Sequence, residues 1–387
     1  MTKSLEVPIY PTVLKWARET SGTTIEDAAT RLGVSASTFA RMEKSESSVR
    51  LSELRKLAEY FKRPLAAFLL NRPPEEPQPP TDFRVLSRHG SRFARDTRLA
   101  LRRAGRLQNA AAEIMHSMGE DHSPRVGTAR LSDDVRAIAM RERKTLGVDV
   151  GTQLRWRDER EAFRGWRTAV ERQNVLVFQL HMPIEDARGF SLSDGGPFAI
   201  AVSSSDVVHA RIFTLFDEYA HLLLRSPGVC NPKTQTGTSL SKMPVERWCN
   251  QFAAALLVPE ETLRDLLQRK FADDFPSNLW EAIRVSSRAF RVSEQVAVWR
   301  LFDLALITKT EFREMMGRLQ RARRAKKKGF GQFSASAKCF SENGWYFTSL
   351  VLEARGRNAI SYADVADYLS LKLKHLPEVR SSLSRAA

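Results

Sequence analysis

The sequence predicts a mainly α chain with a small β-sheet, an α+β fold in which a helical bundle precedes a larger mixed domain. Three observations predict it. Apolar residues recur at helical spacing between residues 11 and 70: Leu14 and Ala17, Ala28 and Leu32, then Leu54, Leu57, Ala58 and Phe61. The stretch Arg72 to Pro80 holds five prolines in nine residues, which cannot continue a helix and reads as a linker. Two short apolar runs, Val175–Leu180 and Phe198–Val202, have strand character and are parted by the turn residues Asp194, Gly195, Gly196 and Pro197.

These divisions give four parts: a head over 1–71, a linker over 72–82, a main domain over 83–328 and a small C-terminal domain over 329–387. The main domain starts helical, with Trp156, Phe163 and Trp166 as core. It reverts to helix over 208–226 and 244–258, and further helices run to about 328. A tail helix is expected from Tyr362 to Leu373.

At 387 residues with 42% apolar composition, the chain can bury a proper core. No apolar run is long enough to span a bilayer, and Met1 to Tyr10 lacks the layout of a signal peptide. Cys230, Cys249 and Cys339 are widely spaced and odd in number, which speaks against a disulfide framework or a thiolate metal site. A cytoplasmic location is expected.

The formal net charge of +16 favours a polyanionic partner, nucleic acid first. Arginines at 84, 88, 92, 95, 98, 102, 103 and 106 would form a basic stripe on a helix, interrupted by Gly90. Arg318 to Lys328 adds seven basic residues and no acid. Either stripe can be read as a phosphate-contacting surface, as a site for an acidic partner or as a solvated face.

Within the head, Thr23 with Glu26, or Thr24 with Asp27, has the spacing of a capping box that opens a helix running to Arg31. Gly33 suits a left-handed helix stop, and Ser35 caps the next helix, Ala36 to Lys44. Ala28 would let the two helices cross closely, with Leu32, Val34 and Phe39 in the corner. This is the layout of a helix-turn-helix whose second helix enters the major groove of double-stranded DNA. Ser37, Thr38, Arg41 and Lys44 would be its outward residues. A small protein-binding bundle is the competing reading. Residues 11–70 resemble an XRE-type helix-turn-helix, with Leu51 to Ala58 similar to that family's fourth helix. Met42-Glu43-Lys44 departs from the frequent Trp-Glu pattern.

In the main domain, residues 211–224 contain Asp217, Glu218 and His221. Asp217 and His221 are one helical turn apart on one face, with Glu218 adjacent. The string is H-E-x-x-H with Asp in first place; in the full motif two histidines hold zinc and the Glu takes a proton from water. Alone, the string reads as an ordinary buried helix with one His. A second helix, Val245 to Val258, ends before Pro259 and carries Glu246 near its start, 25 residues after His221. Glu246 is a candidate third ligand, or else an acid favoured in a first turn. Asn250 lies one turn on and could steady Glu246 or the backbone nearby. His209 stands eight residues before Asp217, ahead of the expected helix start, so it is a poor substitute ligand.

The strings Ala210–Phe216, Glu218–Leu224, and Glu246 with Cys249–Ala254, together with Asp82-Phe83-Arg84 after the linker, resemble the ImmA/IrrE metallopeptidases. That resemblance implies a gluzincin-like metallopeptidase domain, a Zn2+ cofactor, Glu218 as catalytic base, and Asp217, His221 and Glu246 as metal ligands. It also implies cleavage of a repressor or other regulatory protein. Asp217 stands where the family has His. Zinc would then sit among two carboxylates and one imidazole, a centre of zero net charge that polarises water less than the +1 centre made by two imidazoles and one carboxylate. A DNA-binding regulator with a working peptidase centre and a catalytically impaired pseudo-peptidase acting as a regulator or antitoxin-like partner both follow. A homodimer on a palindromic site stays open.

Overall fold

The computed structural model describes residues 5–44, 47–74, 93–119, 123–194, 196–225, 229–230, 244–275, 277–323 and 334–386. The chain divides into two units, Met1–Pro79 with Ser87–Arg103, and Pro80–Leu86 with Ala104–Ala387. Most of the proline-rich stretch, with Asp82-Phe83-Arg84 and Arg88 and Arg92, lies outside the described residues, as do Arg324 to Lys328. No described helix is long and apolar enough to cross a membrane.

In the first unit the strand β1 (Glu6–Ile9) pairs antiparallel with β2 (Ser47–Arg50), Ile9 opposite Ser47. Neither strand was expected from the helical spacing of 11–70; four residues of strand at each end of a helix run leave little periodicity to detect. Helices α1 (Pro11–Thr20), α2 (Ile25–Leu32), α3 (Ala36–Met42) and α4 (Leu51–Phe61) complete the bundle. Thr24 caps α2 by accepting from Asp27 N, and Gly33 ends it at φ 80°. Ser35 caps α3 by accepting from Thr38 N. Ala28, Leu32, Phe39, Leu54, Leu57 and Phe61 fill the core. Glu43 takes a bidentate ion pair from Arg18, at 2.6 and 2.9 Å, which ties α1 to the end of α3. That pairing holds the Arg18 guanidinium above its ordinary value.

The helix α5 (Arg95–Met118) gives its first residues to this unit. Its arginines are occupied within the protein. Arg102 donates to the carbonyls of Phe61 and Lys62 at 2.7 and 2.9 Å, where α4 ends and its carbonyls need donors. Arg95 stacks on the Tyr60 ring at 4.2 Å and donates to the Tyr60 carbonyl. The Arg98 side chain packs on Gly22, where a Cβ would overlap it. Arg95, Arg98 and Arg102 of the stripe therefore cap and pack the head.

The second unit is built on a four-stranded sheet in the order β3 (Leu176–Leu180), β5 (Ala199–Ser203), β4 (Gly189–Leu192), β6 (Val229–Cys230). β3 and β5 run parallel, and β4 is antiparallel to both its neighbours. The two expected strands are present; β4 lies between them in sequence and was not anticipated. Helices α6 (Val135–Thr145), α7 (Val150–Arg155) and α8 (Glu159–Glu171) precede the sheet. Helix α9 (Val208–Leu223) crosses β4 and β5 and packs against α8, where Trp166 makes edge contacts with Phe216 and Trp156 at 4.9 and 5.3 Å. Helix α10 (Pro244–Leu257) lies along α9 and α6.

After α11 (Glu260–Phe271), α12 (Leu279–Phe290), α13 (Glu294–Asp303) and α14 (Lys309–Arg323), the C-terminal helices α15 (Ala335–Asn343) and α16 (Trp345–Gly356) pack on β3. The tail helix α17 is Tyr362–Tyr368, shorter than expected because Leu369 ends it and Ser370 turns at φ 48°. α18 (Leu376–Ala386) closes the chain. A buried ion pair on α8 receives the corner between α15 and α16. Arg167 pairs with Glu171 at 2.9 Å and donates to the carbonyls of Phe340 and Ser341; Glu171 accepts from Trp345 N and Tyr346 N. The guanidinium thus meets the carbonyl end of one helix and the carboxylate the amide end of the next. Gly344, at φ 81°, fits directly over the pair, where a Cβ would collide with both side chains.

Candidate metal centre

Two helices supply the site. Asp217 and His221 stand four apart on α9, in its last two turns, and both are 1% exposed. Glu246 stands in the first turn of α10. The structure brings the three together: one ligand atom from each lies within 4.8 Å of the others. His221 Nε2 is 3.6 Å from Glu246 Oε1. Ligands held at about 2.0–2.2 Å by a tetrahedral ion are roughly 3.3–3.6 Å apart, so this pair has the spacing of two donors to one metal.

The electrostatics point the same way. Glu246 Oε2 is buried and has no hydrogen-bond partner among the described residues. Burial pushes the Glu246 carboxyl above its ordinary value. Cys249, one turn along α10, is buried, and desolvation followed by the charges of Asp217, Glu246 and Glu218 pushes its thiol well up. Three carboxylates around one imidazole in a buried place are costly without a compensating cation. The residues present therefore fit a divalent metal.

Both helices are held by buried side chains. Tyr219 donates to Glu142 Oε2 at 2.9 Å, tying α9 to α6; burial, then the Glu142 carboxylate, pushes the phenol far up. The C-terminal carbonyls of α10 are taken by Arg143 (to Leu256 O, 2.7 Å), Gln153 (to Leu257 O, 2.9 Å) and Arg300 (to Val258 O, 2.9 Å). Burial lowers the Arg143 guanidinium to about 10. These anchors fix the helix that carries Glu246, and nothing in the sequence spacing marks them.

Residues 170–302 match the IrrE N-terminal-like domain of the Peptidase_M78 family. The match spans β3 to α13 and so contains Asp217, Glu218, His221 and Glu246. Residues 12–68 match a helix-turn-helix domain. No curated protein and no solved structure matches the chain. Over those two stretches the chain is similar to a helix-turn-helix domain and to an IrrE N-terminal-like domain.

Other residues singled out in the sequence fall as follows. His209 lies inside α9, in its first turn, and not ahead of the helix; it is not part of the cluster around Asp217. Asn250 donates to the Glu246 backbone carbonyl at 2.7 Å, so it steadies the helix and not the carboxylate. Glu218 is fully buried beside Asp217. In the head, Ser37, Arg41 and Lys44 are exposed on or just past α3 and Thr38 is half-buried. The hydroxyls of Ser37 and Thr38 lie 2.9 and 2.8 Å from Ser35 Oγ.

Proposed function

We propose that this chain is a DNA-binding regulator whose IrrE N-terminal-like domain holds Zn2+ through Asp217, His221 and Glu246 and cleaves a repressor or other regulatory protein. The observation that carries the reading is the convergence of those three side chains, from two helices, within 4.8 Å. When bound, zinc would polarise the scissile carbonyl and make water more acidic. Glu218, next to Asp217, is the base that accepts the proton from the attacking water and returns it to the leaving amine. The head binds double-stranded DNA through α3, with Ser37, Thr38, Arg41 and Lys44 toward the duplex.

A second reading rests on Asp217 itself. Two carboxylates and one imidazole neutralise a divalent zinc, which removes part of its power to activate water. A pseudo-peptidase that regulates by binding alone is the form this would take. Metal analysis of the purified protein separates the two. Near-stoichiometric zinc in the wild type, lost in Glu246→Ala, supports the working centre; a wild type without zinc sinks it.

A further inference from the structure

β4 passes under α9 at Gly189, opposite Val202 on β5 and Cys230 on β6. Glycine weakens a strand interior, and in a buried one it marks a close approach. Gly189 has no positive φ, so the residue serves space and not backbone conformation. A Cβ there would overlap the Thr214 methyl, come within 2.9 Å of Ala201 O and stand 3.4 Å from Glu218 Cγ. Thr214 and Glu218 are one turn apart on α9 and buried at 1% and 0% exposure. The row of α9 facing Gly189 is therefore the row carrying Glu218, and neither Asp217 nor His221 is among the atoms a Cβ would meet first.

We propose that Gly189 is the positioning residue for Glu218: its missing side chain lets the strand back directly onto that row and holds the carboxylate in place beside the metal ligands. This rests on the reading of Glu218 as the base. The helix α9 as a whole is held through Tyr219 and its packing on α10, and Asp217 and His221 are not among the atoms nearest Gly189.

The test is Gly189→Ala, with Gly189→Ala/Thr214→Ser beside it to remove the methyl that a Cβ would overlap. Crystal structures without metal should show the Glu218 carboxylate moved by about 1 Å relative to His221 and Glu246, and about hundredfold slower peptide hydrolysis should follow. Cobalt affinity, measured by competition, should stay within about threefold of wild type, and the double variant should bring the carboxylate back toward its original place. An unmoved Glu218 in Gly189→Ala overturns the proposal. So does a loss of cobalt affinity as large as the loss of hydrolysis, and so does failure of both variants to fold, since the crowding at Ala201 would then be what the glycine relieves. A wild type that takes up no metal defeats the proposed function separately, because the crystal readout needs none.

Discussion

The imidazole of His221 and the carboxylate of Glu246 face each other 3.6 Å apart across two helices. Their placement depends on opposite ends of those helices. His221 belongs to the last turn of α9, and Glu246 to the first turn of α10, whose far end is fastened by Arg143, Gln153 and Arg300.

Asp217→His restores a second imidazole and with it a net positive charge on a zinc-loaded centre. Zinc affinity is expected to rise by about tenfold or more, and hydrolysis of a protein substrate to rise with it. Competition with a chromophoric chelator reads the first, and a cleavage assay the second. Equal zinc affinity in the two proteins would overturn the expectation that the second carboxylate weakens the centre.

Metal uptake should depend on pH through Glu246. Burial raises this carboxyl, so it keeps its proton above the usual carboxylate range, and the metal must displace that proton. Affinity is expected to rise with pH through that raised range. In the metal-free protein the sign is opposite: the stability contributed by the protonated carboxyl is present at low pH and lost as pH rises past the raised value. Thermal melts with and without zinc across this range should therefore diverge as pH increases.

Arg41 and Arg102 should fail in different ways. Arg41→Ala is expected to weaken duplex binding about tenfold and flatten its salt dependence. Arg102→Ala removes two hydrogen bonds to carbonyls at the end of α4 and should cost the head about 1–2 kcal/mol of stability. Duplex titrations over a salt series together with thermal melts distinguish them. A stable Arg102→Ala protein with selectively lost DNA binding would mean that this arginine meets phosphate.

Gly344→Ala should destabilise the second unit by about 3 kcal/mol or more, because it meets both a left-handed backbone and a space already filled by Arg167 and Glu171. Chemical denaturation reads the loss. A variant as stable as the wild type would mean that the corner can open without cost.

Much of this was legible in the sequence where a local rule governs. Thr24, Gly33 and Ser35 mark the helix-turn-helix because caps and left-handed stops are decided within four residues. The spacing of Asp217 and His221 put them on one face because a helix repeats at that interval. Glu246 could be named from its place at a helix start, although only packing could bring it to His221. What sequence spacing could not reach is set by contacts between distant segments: the pairing of β1 with β2, the capping of α4 by Arg102, and the glycine at 189. The arginine stripe was visible, but its partners, carbonyls forty residues away, were not.

The seat of the corner between α15 and α16 has one more implication. A chain cut short near residue 330 would leave two opposite charges on α8 at the bottom of a hole with nothing to line it. Water would have to enter beside β3, on the helix α8 whose Trp166 packs against Phe216 of α9. The last fifty or so residues then act as the lid on the foundation of the layer that carries Asp217, His221 and Glu246, and trimming them should disturb that cluster from behind without touching any of the three side chains.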